Sequence, residues 1–132
     1  MNQKQFLIIA MAVSLLPGCA SFDGVVNNVQ TMLLPQKITA SPVQICQDYK
    51  ENKVRANDAY SGKLLTASGT VKSIDAYGFT LNVQNVSVFN RTDDREALKK
   101  LSVGKPASVT GSVSSLEGLV GNCMIVMRNG TF

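Results

Sequence analysis

Leu64-Leu65-Thr66-Ala67-Ser68-Gly69-Thr70-Val71-Lys72-Ser73-Ile74-Asp75-Ala76-Tyr77-Gly78-Phe79-Thr80-Leu81-Asn82-Val83 is the stretch on which the fold turns. Branched and hydroxylated residues dominate Leu64 to Asp75, and Phe79 to Val83 alternates strictly between apolar and polar. Both are patterns of a half-buried strand. Tyr77-Gly78 between them supplies a hairpin turn, and Gly69 falls in the middle of a run too long to stay straight. A residue without a side chain lets a strand coil sharply there and serve both halves of a closed barrel.

Working outward, Val86 to Phe89 reads as a third strand. Asp93 with Glu96 caps a short helix carrying Leu98 and Leu101, which Gly104-Lys105-Pro106 ends. Two more alternating strands follow, Ala107 to Ser115, interrupted by Gly111, and Leu119 to Met127, joined by a turn at Glu117-Gly118. Upstream, Ser41-Pro42-Val43-Gln44 combines an N-cap, a first-turn proline and a capping-box glutamine. The helix it starts runs toward Gly62, with Cys46, Tyr49, Lys53, Ala56 and Tyr60 on one side.

The order is thus helix, three strands, helix, two strands. This predicts a mainly β domain with flanking helices (α+β), a five-stranded OB-fold Greek-key barrel preceded by a helix. The segments Tyr60 to Leu65, Ser68 to Ile74, Leu101 to Lys105 and Val109 to Val113 together resemble the anticodon-binding-domain-like OB-fold lipoproteins of bacterial envelopes. The likeness spans Gln44 to Met127. Its motifs are a helix break and two barrel glycines, so it implies a fold and leaves activity open.

The N-terminus predicts an address. Lys4 gives a positive start, Phe6 to Leu16 form an apolar run too short to span a bilayer, and Leu16-Pro17-Gly18-Cys19 follows. That tetrapeptide resembles the lipobox at which lipoproteins are acylated on cysteine and then cleaved. The expected organisation is a signal peptide at 1–18, a lipidated linker at 19–42 and the OB domain at 43–132. Ala20, where an inner-membrane retention signal would place Asp, implies a cell outer membrane destination in a Gram-negative source, with the domain on the periplasmic side. Within the linker, Val25, Val26, Val29, Met32 and Leu33 recur at helical spacing over 23–34. Such a stripe suits the membrane surface, a partner, or a mere spacer.

Cleavage leaves 114 of the 132 residues, enough for one domain, and lowers the formal charge from +4 to +3. With Cys19 committed to lipid, Cys46 and Cys123 remain as an even pair in an oxidising compartment. A disulfide is the economical reading, and two buried free thiols are the alternative.

Composition narrows function. The chain has no His and no Trp, which removes the commonest general base, the commonest metal ligand and the strongest stacking platform. The carboxylates Asp93, Asp94 and Glu96 fit a first helical turn. Ser68, Ser73, Ser112, Ser114 and Ser115 fit a strand surface, and a lysine-activated serine would lack any recognisable motif. No catalytic residue, metal or cofactor is expected. The remaining candidate is the outer face of the barrel, where Lys72, Tyr77 and Arg91, with Phe79 and Asn90 nearby, could form a basic and aromatic ligand surface; Phe79 itself alternates as a core residue. A nucleic-acid partner is not expected from so mild a charge in an exported protein. The functional expectation is a membrane-anchored, non-enzymatic binding or assembly module for another envelope protein. An inhibitor or immunity-type lipoprotein that blocks a periplasmic enzyme is the alternative.

Overall fold

Ser41 begins the ordered helical region: its hydroxyl accepts from the Gln44 N–H at 3.2 Å, and Pro42 occupies the first turn, where its missing N–H costs nothing. The computed structural model describes residues 34–118 and 121–132, so Cys19, the signal sequence and the expected amphipathic helix lie outside the described residues. One continuous helix up to Gly62 was the expectation. There are two, α1 (Pro42–Glu51) and α2 (Lys53–Tyr60), hinged at Asn52. Asn52 is extended (φ −155°, ψ 102°), donates its own N–H to the Asp48 carbonyl at 3.0 Å and accepts from the Arg55 N–H at 3.0 Å. It therefore ends one helix and caps the next. Gln44 also departs from the capping-box reading, since its side-chain amide reaches forward to Asp48 at 2.9 Å.

Five strands follow: β1 (Leu64–Asp75), β2 (Gly78–Val83), β3 (Val86–Arg91), β4 (Pro106–Glu117) and β5 (Met124–Thr131). They close as β1-β2-β3-β5-β4, antiparallel throughout except for the parallel β3–β5 seam. This is the OB-fold barrel, flanked by helices. The fragment α3 (Arg95–Leu98) stands between β3 and β4. Its cap is Asp94, whose carboxylate accepts from the Ala97 N–H at 2.9 Å, and not Asp93; Glu96 instead pairs with Lys99. Leu101 falls beyond the helix.

The last strand differs most from expectation. It starts at Met124, after Gly121 with φ +92°, while the expected start at Leu119 lies outside the described residues. It then runs past Met127 to Thr131. Likewise β3 continues past Phe89 to Arg91, and Ala76-Tyr77 form the first turn, with Gly78 already in β2.

Inward residues alternate along each strand as the pleat requires. Leu65, Ala67, Val71, Phe79, Leu81, Val88, Val109, Val113, Ile125 and Met127 are all buried to 1% exposure or less. Ile45, Cys46, Tyr49 and Ala56 of the helices join this core, with Ile45 the deepest of them. Gly69 sits where β1 stops pairing with β4 and starts pairing with β2, Thr70 being registered with both Pro106 and Asn82. A Cβ there would run into the Asn82 carbonyl. Close strand approach at the closure is thus what Gly69 permits. At Gly111 a Cβ would meet the Gly130 Cα at 2.8 Å, where the β4–β5 register shifts between Thr110 and Ser112.

The sulfurs of Cys46 and Cys123 are bonded, with Cα atoms 5.6 Å apart, tying α1 to the residue just ahead of β5. The segment Gln36 to Ile38 lies along the start of β1: Leu64 donates its N–H to the Gln36 carbonyl at 2.8 Å, and Ile38 donates to Leu64 at 2.7 Å.

Candidate functional site

The outer surface of the barrel has two unlike sides. Where β1 and β4 pair, from Leu64 to Thr70 and Pro106 to Ser112, it is a charge-free ladder of hydroxyls: Thr66 and Thr110 hydrogen-bond at 2.8 Å, and Ser68 donates to Ser108 at 2.8 Å. These hydroxyls satisfy one another, which is the structural role expected of strand-surface serines. Ser115 likewise bonds a neighbour, Glu117, at 2.8 Å.

The β2–β3–β5 side is different. Strand register aligns Thr80, Phe89 and Val126 in one outward row, with Ser115 of β4 continuing it. Two residues along, the next row reads Gly78, Arg91, Arg128 and Ser112. Phe89, Val126 and Met124 are half-buried and point away from the core, while Arg91 and Arg128 are exposed. Neighbouring strands lie about 4.8 Å apart, so the two arginine stems rise side by side. Neither belongs to the ion pairs of the described residues, Arg55–Glu51 and Lys99–Glu96. Arg91, Thr92, Asp93, Arg128 and Asn129 line a polar cleft of about 360 Å³.

Of the residues singled out in the sequence, Arg91 lies in this cleft. Lys72 is exposed but occupies the irregularity of β1 between Val71 and Ser73, beside the Ser73–Thr80 pair. Tyr77 is 67% exposed on the β1–β2 turn, where the Asp75 carboxylate accepts its N–H at 2.7 Å. Lys72 and Tyr77 thus share the barrel's outer surface with Arg91 but are not lining residues of the cleft. Phe79 is core, 1% exposed, with its ring edge-on to Phe132 at 4.7 Å. Asn90 is inward-facing and wholly buried, so it cannot be part of a ligand surface. Arg128, Asn129, Phe89 and Val126 were not singled out. The alternation of β3 and a β5 carried past Met127 are the signals that would have found them.

Buried Asn90 nonetheless builds the site. Its Oδ1 accepts from the Gly130 N–H at 3.1 Å. That bond pins the stretch of β5 where Asn129 takes a left-handed φ of +51° and the register with β4 shifts. The shift leaves both Arg128 and Asn129 facing solvent at the cleft.

On the helical side, the Tyr60 hydroxyl donates to the Asp48 carboxylate. This bond, followed by the Gln44 amide, holds the Asp48 carboxyl below its ordinary value, and it pushes the Tyr60 phenol up to about 12. The pair joins α1 to α2 and lies outside the cleft. Among the described residues no three of His, Cys, Asp and Glu converge as a metal-binding group, and no helix is long and apolar enough to cross a membrane.

Residues 1–128 match the protein family described as tRNA_anti-like. No curated protein matches the chain. Among solved structures, the chain is similar to a protein of Klebsiella pneumoniae subsp. pneumoniae MGH 78578 provisionally named a nucleic acid-binding lipoprotein. The two are 18% identical, the match covers 83% of this chain and 95% of the other, and the TM-score is 0.54. At that identity the likeness is one of fold.

Proposed function

This chain belongs to the tRNA_anti-like family, and from that premise we propose that it is a lipid-anchored binding module. It is exported, acylated on Cys19 and displays the OB barrel to a component of the cell envelope. Signal peptide 1–18, linker 19–42 and barrel domain remain the organisation this reading uses. The lipobox-like Leu16 to Cys19 supports the anchor, as does the name given to the Klebsiella protein. Ala20 supports an outer membrane location with the domain facing the periplasm.

One observation carries the binding role: the outward row of Phe89 and Val126 beside Arg91 and Arg128. Apolar side chains outside the core cluster, next to guanidinium groups that form no ion pair among the described residues, make the mixed surface typical of an interface centre. The opposite β1–β4 side, with its hydroxyls bonded to each other, offers neither feature. Binding without catalysis suits a chain with no histidine.

A photo-crosslinking amino acid placed at Phe89 or at Ser108 of the full chain, in intact cells, tests this. Discrete crosslinked products from position 89 and none from 108 are expected. Equal products from both positions, or none from 89, would contradict the reading.

A further inference from the structure

We infer that the cleft between Arg91 and Arg128 is a seat for a phosphate monoester. The inference rests on the reading of the β2–β3–β5 side as a binding surface, and names the chemistry that surface takes. Two guanidinium groups rise from directly registered positions on adjacent parallel strands, and like charges so placed repel unless an anion lies between them. Among the described residues neither arginine has a carboxylate within ion-pair distance, although Asp93 lines the same cleft.

The arrangement is built. Asn90 is fully buried beside the apolar core and, among the described residues, its Nδ2 has no hydrogen-bond partner. An orphaned amide is costly inside a protein and calls for an explanation. Its Oδ1 bond to the Gly130 N–H supplies one, because that bond fixes the irregular backbone carrying Arg128 and Asn129 relative to the strand carrying Arg91. Asn90 is thus a positioning residue for the two guanidinium groups.

Donor geometry selects the anion. Each guanidinium presents parallel N–H groups as a fork. A phosphate monoester has three free oxygens and up to two charges, enough to engage both forks at once. A diester offers two free oxygens and one charge, as does a carboxylate, and fills one fork.

The test uses the mature lipidated chain in non-ionic detergent micelles, with amide resonances followed during titration by inorganic phosphate at ionic strength matched with sodium chloride. Saturable shifts at Arg91, Thr92, Arg128 and Asn129 are expected. Arg91→Ala and Arg128→Ala should each weaken binding at least tenfold, the charge-conserving Arg91→Lys and Arg128→Lys several-fold, and Asp93→Asn should tighten it. Asn90→Ser should weaken binding while both arginines remain.

Vesicles distinguish the source. Shifts at the same amides with phosphatidic acid in phosphatidylcholine, and none with phosphatidylcholine alone, identify a lipid headgroup; shifts with inorganic phosphate only identify a soluble ligand. Linear shifts equal to those of sodium chloride, or undiminished binding in the Arg91→Ala, Arg128→Ala double variant, would overturn the seat. So would tight binding of a single-stranded oligonucleotide without terminal phosphate by a chain that ignores inorganic phosphate. Loss of the Phe89 crosslinks with phosphate binding intact would sink the proposed function and leave the seat standing. Crosslinks without saturable phosphate binding would do the reverse.

Discussion

Asn90, buried on β3, holds Gly130 of β5 through a hydrogen bond between its side-chain oxygen and the Gly130 N–H at 3.1 Å. It is the one side-chain hydrogen bond among the described residues that spans the parallel seam inside the barrel, where water does not compete for either group. Replacing Asn90 by Ala removes the acceptor, leaves the Gly130 N–H bare and opens a small cavity. A loss of about 2 to 4 kcal/mol is expected. Denaturant unfolding at constant m-value checks it; a change below about 0.5 kcal/mol would mean that the seam is held by the ladder alone.

Gly69→Val should be among the most damaging single changes. Its Cβ would press on the Asn82 carbonyl, with the Val83 side chain also in contact at 2.9 Å, and backbone cannot give way as a flexible side chain does. The expected cost is above about 3 kcal/mol, read as a fall in melting temperature or a failure to fold. An unchanged melting temperature would show that β1 and β2 can separate there.

The Cys46–Cys123 bond closes a loop across a sequence separation of 77. In the chain-entropy account such a crosslink stabilises by about 4 kcal/mol, so reduction, or Cys46→Ser with Cys123→Ser, should cost that order. Membrane attachment should not change. Unfolding with and without reductant, at fixed pH, measures the difference.

The Asp48–Tyr60 pair makes stability depend on pH at both extremes. Asp48 has its folded pKa depressed below 3.8, so its contribution is present above that value and is lost as pH falls through the lower, folded one. Tyr60 is raised from 10.0 to about 12, so its contribution is complete below pH 10 and is lost as pH rises through about 12. Tyr60→Phe should flatten both limbs, and the difference between the ultraviolet titrations of the wild type and of Tyr60→Phe should place the Tyr60 phenolate at about 12. Ionisation of Tyr60 at its ordinary value would remove the bond from the account.

Much of this molecule was legible in the sequence where local pattern and burial agree. Leu64 to Val71 alternates because one side faces the core, and the strand has the expected limits, Leu64–Asp75. Gly69 and Gly111 mark real points of close approach, for a steric reason that a missing Cβ announces. Asn52 was harder to read: helical spacing continues across it from Tyr49 to Lys53 and Ala56, and only its side chain's competition for the backbone breaks the helix. The consequence is long-range, since Asp48 and Tyr60 would stand about 18 Å apart on a straight helix and touch only because of the hinge. The candidate site was the least legible part. Arg91 stood out as a charged strand residue, but its neighbour Arg128 is 37 positions away and meets it only through the parallel register. That register depends on where β5 starts, at Met124, beyond the turn that Glu117-Gly118 suggested. Asn90 reads as polar surface by its residue type, whereas the pleat of β3 turns it inward with Val88.

Fatty-acid labelling of the wild-type chain and of Cys19→Ser, followed by membrane fractionation, tests the anchored-module account most directly. The account predicts labelled, membrane-held wild type of a mass lacking residues 1–18, and an unlabelled Cys19→Ser chain that is released or retained as uncleaved precursor. A Cys19→Ser chain that still took up label and stayed with the outer membrane would contradict it.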